Sequence, residues 1–149
     1  MIIKTLIELF SRDLDALKKE INTYTNSEDM WLIKGEINNS GGNLCLHLCG
    51  NLQHFIGAVL GNSGYIRERE KEFSDKNISK GKLIEEIDNT KLIVLKTLNQ
   101  LDINKLAAIY PINVFKREMT VEFFLIHLTT HLSYHLGQIN YHRRITLSR

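Results

Sequence analysis

Residues 120–145 read TVEFFLIHLTTHLSYHLGQINYHRRI. Apolar side chains recur at Val121, Leu125, Leu128, Leu132, Leu136 and Ile139, the three- and four-residue steps of one helix face. Thr120 stands where a helix N-cap belongs, because its hydroxyl can accept from an orphan N–H of the first turn. The spacing predicts a long helix from Thr120 to about Ile145. His127, His131 and His135 follow one another at four-residue steps, so they form a stripe beside the apolar face. With roughly 100° per residue, His135 lies roughly 50° from the core direction, His131 roughly 90° and His127 roughly 130°. His131 and His135 therefore point inward best, and His127 reads as a rim residue.

The helical period extends outward through most of the chain. Ile3, Leu6, Ile7, Phe10, Leu14, Leu17 and Ile21 give a first helix from residue 2 to about 24. Residues 25–42 read as a loop, with a short turn near Met30 and Trp31. A second helix is expected with Asn43 as N-cap, running to about Leu60 and stopped by Asn62-Ser63-Gly64. Residues 68–77 are dense in charge and read as a solvent-exposed connection; the run 67–71 reads as solvated loop. Ser79 is expected to cap a third helix to about Leu98, with Leu83, Ile84, Ile87, Leu92, Leu95 and Leu98 on its apolar face. Residues 102–116 are irregular around Pro111, the single proline, with a short extended piece expected at 110–115. Four amphipathic helices around one core make an all-α four-helix bundle, a single domain over residues 1–149. The loops 25–42 and 99–119 exceed the roughly 2–8 residues of short helix–helix connections, and long loops often line functional sites.

Composition narrows the classes. The 149 residues are 43% hydrophobic and 24% charged, which is ordinary for a globular domain. Nineteen basic against 17 acidic residues leave a net charge of +2, too balanced for a dedicated nucleic-acid surface. Lys4 and Glu8 interrupt the apolar N-terminus, so no signal-peptide core is expected. The uncharged run 37–66 is spread with Asn, Gly, Gln and His and does not supply the roughly 20 apolar residues of a membrane span. Neither nucleic acid nor membrane is an expected partner. Cys45 and Cys49, four apart on one helix, make poor disulfide partners. They read as buried, reduced core residues of a cytoplasmic protein and not as metal ligands.

Six histidines are the oddity of the composition. Leu44, Leu48, Leu52, Phe55, Ile56 and Val59 form the core arc of the second helix. His47 lies just beyond one edge of it and His54 roughly 20° further out, whereas Cys45 and Cys49 lie at the other edge. Two histidines at i and i+4 can share one metal, and a third from a facing helix completes a three-nitrogen site with an open position. His47, His131 and His135 are the candidate ligands, and His54 could take the place of His47. The competing reading of each is a hydrogen-bonded residue at the core boundary. Asn51, one turn after His47, and His54, His127 and Gln138 are candidates for contacts behind the ligands or to substrate. Gly137 could permit close helix approach. Tyr134, Tyr141 and His142 read as surface or dimer residues, and Arg143, Arg144 and Arg149 as a basic C-terminal end. No acid–base carboxylate can be assigned from the helix faces.

The segment His131-Leu132-Ser133-Tyr134-His135-Leu136-Gly137-Gln138-Ile139 resembles the H-x-x-x-H-x-G-Q signature of DinB/YfiT-like proteins. Leu46-His47-Leu48-Cys49-Gly50-Asn51-Leu52 resembles the histidine-bearing second helix of a DinB-related subfamily of unknown function. The resemblance covers almost the whole chain. It implies a four-helix bundle carrying a divalent metal on three histidines, by position His47, His131 and His135. Characterised relatives include thiol-dependent transferases and isomerases that use bacillithiol, mycothiol or glutathione. Leu136 stands where the family usually has Arg, which removes any anion contact made by that Arg. The expected function is a low-molecular-weight-thiol S-transferase: Zn²⁺, with Ni²⁺ as alternative, lowers the pKa of a bacillithiol-like thiol, which attacks an electrophilic small molecule. The alternatives are a metal-dependent hydrolase and a non-enzymatic, stress-associated metal-binding bundle. A homodimer is expected, because family members often pair through their helices and Phe123, Tyr134 and Tyr141 lie off the core direction.

Overall fold

Leu6, Phe10, Leu14, Leu17 and Ile21 are at most 1% exposed, so the apolar period of the first helix is a true core face. The computed structural model describes residues 1–147, of which Arg149 is not one. Its α-helices are α1 (Ile2–Thr23), α2 (Gly41–Leu52), α3 (Arg69–Ser74), α4 (Lys80–Gln100) and α5 (Val121–Ile145). A π-helical turn, Gln53–Ala58, prolongs α2, and 3₁₀ turns occupy Ser27–Trp31 and Ile103–Ala107. The fold is all-helical among the described residues apart from one isolated bridge, Ile109 with Thr120. The four long helices close a ring: α1 packs on α4 and α5, and α2 packs on the same two. Their buried apolar residues form one cluster. Among the described residues, no helix is long and apolar enough to cross a membrane.

Several local expectations need correction. Ser40, not Asn43, caps α2: its hydroxyl accepts from the Asn43 N–H at 3.1 Å. Asn43 is freed to use its side chain elsewhere, donating to the carbonyls of Glu72 and Asp75 at 2.9 and 2.8 Å. Those bonds dock α3, which runs through the charged stretch 68–77. The stretch is not a wholly exposed connection, since Glu72 is 6% exposed. On α4, Leu92 is exposed, while Thr90, Val94 and Thr97 are buried. Thr90 can sit inside because its hydroxyl bonds Glu86 O and receives Gln53 Nε2. The expected extended piece at 110–115 is displaced: residues 108–110 run against 119–121, with Tyr110 N–H on Met119 O and Val121 N–H on Ala108 O. Ser79 and Thr120 do cap their helices, each accepting from the N–H three residues on.

The π turn ties the 99–119 loop to α2. Val59 N–H donates to His54 O and Leu60 N–H to Ile56 O. Neither bond uses Phe55 O, which instead accepts from the Tyr110 hydroxyl at 2.6 Å. Tyr110→Phe should therefore lower unfolding free energy by about 1 kcal/mol. Urea denaturation should show an earlier midpoint at unchanged slope.

Candidate metal centre

Helix α2 presents His47 and helix α5 presents His131 and His135 to one another across the ring of helices. One donor atom from each lies within 4.8 Å of the other two. His47 Nε2 and His131 Nε2 are 3.2 Å apart. The ring centres of His131 and His135 are 4.5 Å apart, and those of His47 and His135 5.2 Å. The inward angles deduced for the two helices thus bring together the three expected residues. His54 does not replace His47.

The other ring nitrogens decide which way each lone pair faces. His47 Nδ1 lies 3.0 Å from Glu72 Oε1. Burial pushes the Glu72 carboxyl up, but hydrogen bonds from His47 and Arg67 together with the Arg67 charge hold it below its ordinary value. An ionised Glu72 accepts only, so His47 Nδ1 carries a proton and Nε2 is the ring atom turned to the cluster. His135 Nδ1 lies 2.7 Å from Gln138 Oε1, whose amide donates in turn to the Tyr134 hydroxyl at 3.2 Å. His135 Nε2 is then its free atom. His131 Nδ1 is buried without a hydrogen-bond partner. Burial, reinforced by its histidine neighbours, lowers the His131 pKa to about 3, and burial also lowers that of His135. Burial favours the neutral form of His131 and His135, and with His47 they turn one nitrogen each to a common point, so the donor set fits a divalent metal.

Arg67 and Glu72 brace the cluster, and sequence patterning does not reveal them. Arg67 grips Glu72 with two bonds, Nε to Oε2 at 2.8 Å and Nη2 to Oε1 at 2.9 Å. Its guanidinium also lies 5.6 Å over the Phe55 ring. The run 67–71 is therefore not plain solvated loop, because the Arg67 side chain is only 11% exposed. Gly50 makes the approach of α3 feasible: a Cβ there would collide with the Glu72 carboxylate. The one signal in the sequence is Phe73, the single apolar side chain in 67–77. It packs against His47 with ring centres 4.9 Å apart.

The remaining candidates separate clearly. Asn51 is 6% exposed and its Oδ1 has no hydrogen-bond partner. Gln138 is exposed and holds His135. His127 stacks on Phe124 and meets Phe115 edge-on, with its ring centre 6.3 Å from that of His131. His54 lies beside Phe55 and outside the donor set. A Cβ added at Gly137 would meet nothing within 4 Å, so no close helix approach depends on that glycine. His142 is a correction: it is 5% exposed and no surface residue. Its Nε2–H donates to Leu32 O at 2.8 Å, and Tyr24 donates to its Nδ1 at 2.6 Å. Leu136 is half-buried against the core. Cys45 and Cys49 are buried free thiols outside the donor set. A hydrogen bond to Cys49 and burial push the Cys45 thiol well up.

A family model described as a protein of unknown function, DUF1572, matches residues 2–147. The chain belongs to the DUF1572 family. No protein with a curated description matches it.

Two stability measurements check this electrostatic account of the DUF1572 chain. Glu72→Gln should cost about 3 kcal/mol at pH 7, because Arg67 is left buried without its carboxylate. The folded pKa of Glu72 lies below its unfolded value, so the pairing is fully present above about pH 4.3 and is lost as pH falls through the folded value. Urea midpoints of variant and parent should converge in acid. For His131, the folded pKa of about 3 lies below an unfolded value near 6.5. The unfolded chain binds a proton that the folded chain refuses, so stability falls as pH drops between those values. In metal-free protein, His131→Gln should flatten that fall.

Proposed function

We propose that this chain is a divalent-metal-dependent enzyme of the DinB/YfiT type, built on a four-helix bundle, with His47, His131 and His135 as ligands. The observation that carries the reading is the convergence of three imidazoles, two of them with the outer nitrogen committed to Glu72 and Gln138. Zn²⁺ fits the all-nitrogen donor set, and Ni²⁺ shares it. A divalent ion held by neutral ligands keeps its full charge and would ionise a small thiol, whose ordinary pKa is near 8.5, at neutral pH.

The proposed activity is S-transfer. The thiol, bacillithiol or a similar small thiol, loses its proton to solvent. Its sulfur then forms a bond to an electrophilic carbon as the leaving group departs with the bonding pair. Glu72 fixes the tautomer and orientation of His47, and Gln138 does the same for His135. Glu72 is engaged by both Arg67 and His47, so it is poorly placed to serve as a general base. One observation favours the hydrolytic alternative: His127 is a half-buried imidazole whose pKa burial lowers, near His131 and outside the donor set. We further propose a cytoplasmic homodimer. The two free cysteines suit a reducing compartment, and the exposed ring of Phe123 on α5 suits a helix-to-helix interface.

Titration of metal-free, untagged protein with Zn²⁺ against a chelating dye should give one ion per chain. His131→Ala and His135→Ala should each weaken binding about 100-fold or more. Glu72→Gln should weaken it by about 10–100-fold. Bacillithiol with 1-chloro-2,4-dinitrobenzene should yield the aryl thioether, chloride and a proton in a metal-dependent reaction. Turnover of an ester without thiol, unchanged by adding one, would replace this reading with hydrolysis. Metal binding with no reaction of any electrophile would leave a binding module. A monomer mass at micromolar concentration would remove the dimer.

A further inference from the structure

His135 and Gln138 belong to a second feature besides the histidine cluster. They line one end of a cleft of about 550 Å³ that runs between the last turns of α5 and the 32–39 loop. Its walls include the large side chains of Ile37, Leu44, Tyr134, Tyr141 and Ile145, with Lys34 and Glu36, of opposite charge, on the loop side. Four of these five are large apolar residues that the chain leaves exposed: Ile37 at 41%, and Tyr134, Tyr141 and Ile145 at 64% each. Leu32 and Ile33, at 37% and 48%, add to the apolar character of the same loop. Exposed apolar side chains gathered around a concavity are a binding feature more than a packing residue of the fold.

The loop wall is held in place. His142, itself part of the cleft lining, donates to Leu32 O and receives the Tyr24 hydroxyl, so α5, the loop and the residue that ends α1 meet at one imidazole. Gly41, at the start of α2, leaves room for that junction, because a Cβ there would collide with the Tyr24 hydroxyl. The cleft is thus preformed, and its volume lies in the roughly 300–1,000 Å³ range of small-molecule sites. Two tyrosine rings seven residues apart on α5 offer faces and edges for an aromatic ligand.

We infer that this cleft binds the second reactant, an uncharged, ring-bearing apolar molecule whose reactive end reaches His135. The reaction assigned to that molecule rests on the proposed function; its binding does not. Concavity and direct continuity with His135 favour a small molecule over a second copy of this chain.

The test uses the full chain without metal and the uncharged fluorophore N-phenyl-1-naphthylamine. One probe should bind per chain, with saturable fluorescence. Ile37→Glu and Ile145→Glu, both at exposed positions, should each weaken it at least tenfold, while Leu92→Glu on α4, outside the cleft, should change it less than twofold. Zn²⁺ affinity should stay within twofold in all three variants. Failure of Zn²⁺ to bind, with the probe still held and still lost in the two cleft variants, would remove the metal reading and leave the cleft standing. Unchanged probe affinity in both cleft variants overturns the inference. So does a shift from dimer to monomer in those variants with probe affinity retained, which would make the face an interface between copies.

Discussion

Burying imidazoles between apolar helices sets the terms for the rest of the molecule. A neutral imidazole carries one donor and one acceptor. A buried polar group without a partner costs about 1–3 kcal/mol. At His47 the compensation runs through a chain of contacts. Its Nδ1–H needs an acceptor, and Glu72 provides one. Glu72 is then a buried charge, and Arg67 neutralises it with two bonds. Arg67 in turn spreads over Phe55. None of this works unless α3 can lie against α2, and Gly50 and Asn43 meet that condition, one by having no side chain and the other by bonding the α3 backbone. Residues that look unrelated along the chain thus answer to one imidazole nitrogen.

The part of this arrangement that repeats with a helical period is legible in the chain. Val121, Leu125, Leu128, Leu132 and Ile139 are all at most 3% exposed, and the direction they define places His131 and His135 correctly. The edge position of His47 follows from the same arithmetic on α2. The failures share a cause as well. Glu72 and Arg67 lie on a short helix and its approach, where charge alternates without an apolar stripe, so nothing periodic distinguishes a buried carboxylate from a solvated one. His142 reads as a surface residue because its partners, Tyr24 and Leu32 O, come from more than a hundred residues away. Leu92 reads as core, yet α4 buries two threonines instead, Thr90 using a hydroxyl bond that no hydropathy pattern records. The α2 cap falls on Ser40 and not on Asn43 because Asn43 has a tertiary use for its side chain.

The two flanks of the histidine cluster differ in kind, and the difference bears on how such a site can work. On the α3 side the charges nearest the cluster are paired and buried, with Phe73 against His47 and Arg67 against Glu72. That flank is suited to holding His47 still. On the α5 side His135 is held by Gln138, an exposed residue, and beyond it lie exposed aromatic and aliphatic side chains. A molecule lodged there touches large apolar side chains as well as His135. Such a lining favours reactants with an apolar body, because burying that body supplies binding free energy away from the reacting atoms, where it can be used to orient them. The same lining disfavours a site that depends on water reaching the cluster from that flank. The polarity gradient across the cluster therefore agrees with the proposed S-transfer to an apolar electrophile better than with hydrolysis, independently of which divalent ion the histidines would hold.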